Sequence, residues 1–294
     1  MNTRTKPAVV PSLLNELLLS IPEIAHLHAP GTKIYSLLKH YTRRLVEDLF
    51  EKKEMIDAEL SPFGRLVFPY YKMGATIDSL NLFDFDELII LCFYWANRNR
   101  YKKVLDIGAN IGLHSVILSK CGFDVTSFEP DPQTFTVFKQ NLEINNCLNV
   151  NPVNAAVSNQ KTQMEFVRVL GNMTGSHLAG SKTNPYGDCD RFEVPVESIV
   201  SCLNGVDFIK LDAEGHEKEI IGATGNIWKN CDGLIEVENV RNAEFVFEFF
   251  NSIHINLFSQ KRNWQKVAGL SDVPTSYKEG SLFISSKDHM PWTD

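Results

Sequence analysis

Asp106 stands near the end of a short apolar run and just before a Gly-x-x-x-Gly turn, in Val104-Leu105-Asp106-Ile107-Gly108-Ala109-Asn110-Ile111-Gly112. An acid, a tight glycine turn and a helix-forming stretch over 113–120 read as a buried strand, a ligand-cradling turn and a helix. Glycine lets such a turn pass close beneath a ligand where a Cβ would collide. The helix start offers unpaired backbone N–H groups. The turn lacks both the Gly-x-Gly-x-x-Gly order of a dinucleotide fingerprint and the Gly-Lys-Ser/Thr of a phosphate loop. A carboxylate at its entrance suits a ligand that carries an ammonium or sulfonium charge instead. Glu129, in Phe128-Glu129-Pro130-Asp131, ends the next apolar run, where an acid can accept both hydroxyls of a ribose. Asn154-Ala155-Ala156 stands near the end of the third, placed to meet an adenine edge.

Successive strand ends are where open α/β sheets bind ligands, and this ordered set points to S-adenosylmethionine. The candidate cofactor contacts are Asp106, Gly108, Ala109, Asn110, Gly112, Glu129, Pro130, Asn154 and Ala155. A second cluster, Asp212-Ala213-Glu214-Gly215-His216-Glu217, leaves a fourth apolar run. Methyl transfer to an alcohol needs in-line alignment and a proton acceptor near the nucleophile. A carboxylate or an imidazole serves, so Asp212, Glu214 and His216 are the catalytic candidates. An acid here can equally neutralise a sulfonium or cap the next helix, and Glu217 reads as the helix-start acid. A divalent ion is a rival use of Asp212, Glu214, His216, Glu236 and Glu238, since it would lower an acceptor hydroxyl's pKa. Spacing alone gives no ligand geometry, and no metal is assigned. Asn172, Thr174, Ser176 and His177 fall in a long polar stretch over 170–191, of the kind that lines a site.

The elements that must position these residues follow from periodicity. Strands over 104–107, 124–128, within 150–157, over 206–211 and over 233–237 alternate with helices over 113–120, 134–145, 219–228 and 242–253. Residues 255–258 and 281–285 are candidate final strands, and 164–169 and 192–196 read as extended. The N-terminal third is mainly helical: a short helix over 13–19, a long one over 33–55, and one over 86–95 that is apolar nearly all round and therefore packed on both sides. A strand over 65–70 interrupts them, and residues 1–10 read as a loose tail. The expected division is a helical extension or lid over 1–95 and a cofactor-binding domain over 96–294.

Composition bounds the function further. The formal net charge is -7 and the pI about 5.7, which gives no support to a nucleic-acid surface. The six cysteines are scattered, with no C-x-x-C pair, so neither a thiolate metal site nor a disulfide framework is expected. The first residues lack the apolar core of a signal peptide, and no apolar run is long enough to span a membrane. A cytoplasmic protein, acting on a small polar acceptor and open to homodimer formation, is the expectation.

Several of these stretches resemble the FkbM family of class I S-adenosylmethionine-dependent methyltransferases. They are Asp86-Glu87-Leu88, the 104–115 segment, Phe128-Glu129-Pro130, Asn154-Ala155-Ala156-Val157-Ser158, Gly171-Asn172 with Gly175-Ser176, Leu234-Ile235-Glu236-Val237-Glu238 and, most distinctive, Lys210-Leu211-Asp212-Ala213-Glu214-Gly215-His216-Glu217. The resemblance spans about residues 60–285. It implies a Rossmann-like, mostly parallel seven-stranded sheet of order 3-2-1-4-5-7-6, and methyl transfer to a hydroxyl, with a sugar or glycoside as the favoured acceptor. It places Gly108 and Gly112 along the methionine part of the cofactor, Glu129 at the ribose and Asn154 near the adenine. Asp212 falls beside donor and acceptor, and His114 and Ser115 near the cofactor carboxylate. An amine or peptide acceptor, or a non-catalytic cofactor-binding role in an assembly, are the alternatives.

Overall fold

The structure is a computed structural model that describes residues 12–50, 54–74, 77–170, 172–182 and 187–292. The expected tail over 1–10, and Gly171, lie outside the described residues. Two helices open the chain, α1 (Ser12–Ser20) and α2 (Lys33–Leu49). Thr32 caps α2 by accepting the Tyr35 N–H at 3.1 Å. The helix ends short of the 33–55 expected. Met55–Leu60 is instead strand β1, paired antiparallel with β2 (Gly64–Pro69). Ile56, Ala58 and Leu60 point inward in alternation, a period of two that takes over just past the end of α2. Helix α3 (Phe85–Ala96) is buried continuously from Leu88 to Tyr94, as its all-round apolar character requires.

The α/β alternation then follows: β3 (Lys103–Ile107), α4 (Leu113–Lys120), β4 (Asp124–Phe128), α5 (Pro132–Ile144) and β5 (Val150–Val153). Next come four strands, β6 (Ala156–Ser158), β7 (Thr162–Val169), β8 (His177–Leu178) and β9 (Cys189–Ser198), and a short α6 (Ile199–Cys202). The chain resumes with β10 (Phe208–Leu211), α7 (Glu217–Gly222), β11 (Asp232–Ile235), α8 (Val240–Ser252), β12 (Asn256–Ser259), β13 (Gln265–Lys266) and β14 (Leu282–Ser285). The helix expected over 219–228 stops at Gly222, where glycine costs helix stability.

The main sheet has the order β13-β12-β14-β11-β10-β3-β4-β5. From β11 to β5 the strands are parallel, while β14 runs antiparallel to both β11 and β12. It holds eight strands where seven were expected, because the two-residue β13 adds to its edge. The extended runs over 164–169 and 192–196 belong to a separate four-stranded sheet, β6-β9-β7-β8. That sheet leads into the polar segment that overhangs the ends of the main strands.

Alternation along the strands divides the core in two. Val104, Phe208, Leu234 and Phe283 pack with the N-terminal helices and with α4 and α5. Leu105, Ile209, Ile235 and Ile284 pack with Ile220, Val246 and Phe250 from α7 and α8. The N-terminal helices therefore share one core with the sheet; Phe93 of α3 meets Phe208 and Phe283 at centroid distances of 6.0 and 5.3 Å. Truncating such a ring to alanine would cost about 3–5 kcal/mol. No helix among the described residues is long and apolar enough to cross a membrane.

Candidate active site

Strand register begins the site. β3 and β10 pair in parallel with Asp106 opposite Lys210, on the face that α3 and α4 cover. Asp106 is fully buried, and its Oδ2 accepts from Ser115 Oγ at 2.6 Å. Its Oδ1 has no hydrogen-bond partner in the protein and lies 3.8 Å from Lys210 Nζ. The same ammonium donates to the Gly108 carbonyl at 3.0 Å and lies 3.5 Å from Asp212 Oδ2. Burial disfavours the Lys210 charge, yet the carboxylates of Asp212 and Asp106 outweigh it and hold the pKa above the usual lysine range. Lys210 thus pins the glycine turn and joins the ends of β3 and β10.

The glycines of that turn serve the chain itself. Gly108 has φ +83°, and a Cβ there would lie 1.9 Å from the Asp212 carbonyl oxygen. At Gly112, with φ +89°, it would lie 2.2 Å from the Phe138 ring. The chain alone thus demands glycine at both positions, whatever clearance a ligand adds. The demand comes from the crossing of β3 past β10 and the seating of α5.

Glu129, at the end of β4, is held by backbone. Its Oε2 accepts the Asn110 N–H at 2.9 Å and its Oε1 the Asp131 N–H at 2.8 Å. Burial pushes its pKa up to about 8, assisted by the Asp131 charge and opposed by the two N–H groups. Asp131 caps α5 and takes a two-pronged contact from Arg168 of β7 at 2.5 and 2.7 Å. The Asn154 amide donates to the carbonyls of Glu129 and Pro130, at 2.8 and 3.0 Å, so it braces this loop.

The acids at the ends of β10 and β11 are held by side chains. Lys182, on the overhanging segment, forms ion pairs with Glu214 and with Glu238, the latter at 3.3 Å. Burial works against the Lys182 charge, and these two carboxylates outweigh it and raise its pKa. Glu214 is pushed well up, by burial first and then by the Asp212 charge, with Lys182 opposing. It sits at φ +51°, a left-handed conformation uncommon for a residue with a side chain. His216 is held between Ser158 Oγ at 2.8 Å and Ser181 Oγ at 3.1 Å, and burial lowers its pKa. Glu217 accepts the N–H groups of Ala213 and Gly215 and the Asn242 amide, clamping the loop at the start of α7. Across from them, His114 lies between Tyr94 Oη at 2.9 Å and Glu87 Oε2 at 2.8 Å, both on α3.

These groups surround one cavity of about 1370 Å³. Gly108, Asn110, Glu129, Pro130, Ala155, Asp212, Glu214 and His216 reach its wall, as do Asn172, Thr174, Ser176 and His177. Asp106, Ala109, Gly112, His114, Ser115 and Asn154 stand behind it and act on the wall through their neighbours. Lys182, Glu87 and, from the N-terminal helices, Tyr35 and Lys39 are wall residues to which sequence reasoning gave no role. Glu87 was legible as part of a family-like Asp86-Glu87-Leu88 stretch at the start of a helix; nothing in the spacing said which strand ends that helix would face. Among the described residues, no group of three or more His, Cys, Asp or Glu side chains is arranged to hold a metal ion. The cavity fits a cationic nucleoside: Glu129 stands where ribose hydroxyls could donate, and Asp212 Oδ1 is buried without a partner in the protein.

Residues 106–265, more than half of the chain, match the methyltransferase FkbM domain. Methyltransferase 1 of Beauveria bassiana (strain ARSEF 2860) is 24% identical over 157 residues, 45% of this chain and 62% of that protein. The chain thus aligns with less than two thirds of that relative's length. Among solved structures, an rRNA methylase from Streptococcus thermophilus has 10% identity over 67% of this chain and 93% of that chain, with a TM-score of 0.38. A precorrin-6y C5,15-methyltransferase from Geobacter metallireducens GS-15 has 13% identity over 65% and 82%, with a TM-score of 0.34.

Proposed function

The chain belongs to the FkbM family of S-adenosylmethionine-dependent methyltransferases, with a Rossmann-like class I sheet behind N-terminal helices, and from that premise we propose that it methylates a hydroxyl of a small polar acceptor, a sugar or glycoside. The observation that carries the reading is a single cavity with a backbone-braced ribose acid, Glu129, at one end and an acid cluster around Asp212 at the other.

When bound, S-adenosylmethionine supplies a methyl group already activated on a sulfonium. The chain supplies placement and charge. Glu129 accepts the ribose hydroxyls, the walls beside Gly108 and Asn110 take the methionine part, and Ala155 borders the adenine. Asp212 and Glu214 lie on the acceptor side and balance the positive charge. Hydroxyls of Thr174 and Ser176 and the Asn172 amide give a polyol several partners. The helices over 12–96 close the opposite wall, which is why they are read as part of the site and as its lid.

Calorimetry with S-adenosylmethionine tests the first half: micromolar-range binding is expected, reduced in Glu129→Ala. A radiolabelled methyl-transfer screen over sugars, glycosides, amines and peptides tests the second. Label in a glycoside ether supports the reading, and label confined to amines would move it to nitrogen.

A further inference from the structure

Nine carboxylates line the cavity, and the chain commits nearly all of them. Glu129 is taken by two backbone N–H groups, Glu87 by His114, Asp212 by Lys210, and Glu214 and Glu238 by Lys182. The acids at the outer rim and at the cap of α5 are paired with Lys39 and Arg168. Glu236 differs. Among the described residues, no cation and no hydrogen-bond donor stands within bonding distance of its carboxylate. Its backbone is fixed all the same, since its N–H donates to the Leu211 carbonyl at 3.0 Å.

Its position follows from register. Leu211 pairs with Ile235, so the next residues out, Asp212 and Glu236, are neighbours at the ends of adjacent parallel strands. Period two puts Glu236 on the same face as Leu234 and Lys210, the face that α3 covers with Glu87. The residue is half-buried and borders the cavity. An enclosed carboxylate without a partner is costly unless a ligand completes it.

Resting on the methyl-transfer reading above, we propose that Glu236 is the catalytic base that takes the proton from the acceptor hydroxyl. The acceptor oxygen forms a bond to the methyl carbon as the carbon–sulfur bond breaks, and the sulfur keeps that electron pair. The hydroxyl proton passes to a Glu236 oxygen and leaves to solvent with the products, a methyl ether and S-adenosylhomocysteine. Asp212 and Glu214, held by Lys210 and Lys182, then shape the field rather than move the proton. The charged groups facing Glu236 are Asp212, Glu87, Lys210 and Glu214. Burial first, and then the charges of Asp212 and Glu87, push its pKa well up, which makes the ionised carboxylate a stronger proton acceptor.

The test needs no known acceptor. Sinefungin carries an amine where the sulfonium methyl would be; S-adenosylhomocysteine carries nothing there. Calorimetry on wild type, Glu236→Gln and Asp212→Asn should give a sinefungin preference that falls about tenfold in Glu236→Gln, the scale of one charge contact at intermediate dielectric. S-adenosylhomocysteine affinity should not change, which also reports that the variant is folded. Asp212→Asn, whose carboxylate Lys210 already answers at one oxygen, should lower the preference less than Glu236→Gln does. Equal loss of both ligands in Glu236→Gln, no loss of either, or a loss that belongs to Asp212→Asn instead would overturn the assignment. Wild-type protein that binds neither ligand would overturn the cofactor reading and this inference with it. On an acceptor returned by the screen, Glu236→Gln should lower kcat by about 10²–10⁴ and flatten its pH profile.

Discussion

The two ends of the cavity are built differently. At the β3–β4 end, Glu129 is gripped by main-chain N–H groups and Asp106 by a serine hydroxyl beneath the turn. At the β10–β11 end, Asp212, Glu214 and Glu238 are held by lysine side chains, one of the lysines brought in by the overhanging 172–182 segment. Main-chain grips are set as soon as the strand and turn form. Side-chain grips cost rotamer entropy and depend on distant chain arriving. The difference suits the work proposed: an invariant donor needs a rigid socket, while an acceptor must enter and leave past groups that can let go.

Lys210 serves both ends, so its loss is the severest test of the contrast. Lys210→Met leaves the buried Asp106 and the half-buried Asp212 without their cation and should cost about 3–5 kcal/mol, read as a lower urea midpoint. Gly108→Ala also strikes the junction. Left-handed strain and the clash with the Asp212 carbonyl should cost about 2–4 kcal/mol together, with donor binding and turnover falling in step; a loss confined to one end would show that the two ends are not mechanically joined.

Glu129 sharpens the comparison through pH. Its pKa of about 8 lies above that of an unfolded glutamate, so the folded state holds the proton longer, and ionisation between those values lowers stability as pH rises. Ribose hydroxyls donate best to the ionised form. Adenosine, which does not titrate in this range, should therefore bind more tightly as pH rises towards about 8 and level off above it. Glu129→Ala should remove the pH dependence and weaken binding by about tenfold or more. The smallest effect is expected at the lysine side-chain grip. Lys182→Met should cut turnover about fivefold, near 1 kcal/mol, speed proteolysis within 172–182, and leave donor affinity within about twofold. Weaker donor binding in that variant would erase the distinction between the ends.

Much of the β3–β4 end was legible in advance because its residues are close in sequence to the strands that carry them. Asp106, Gly108 and Glu129 announce themselves as an acid, a turn and a second acid at successive strand ends. The reason for the glycines was not legible, since Asp212 and Phe138 are far along the chain. The bonds that tie Asn154 to the Glu129 loop and His114 to α3 were not legible either, since they join separate stretches of chain. At the β10–β11 end, Asp212 and Glu214 were visible in their motif, whereas their lysine partners were not assigned. Glu236 was noticed as one of five candidate metal ligands and within a family-like stretch but was given no part in proton transfer, because sequence does not tell which acid lacks a cation.

Local sequence determined the alternation of strands and helices, the turn after β3 and the acids at the strand ends, since each depends on periodicity and on residues within a few positions. Tertiary structure alone decided which acid is braced, which is paired and which stands bare. Those properties depend on desolvation and on partners from β10, α3 and the 172–182 segment, brought together by strand register and helix packing across long stretches of chain.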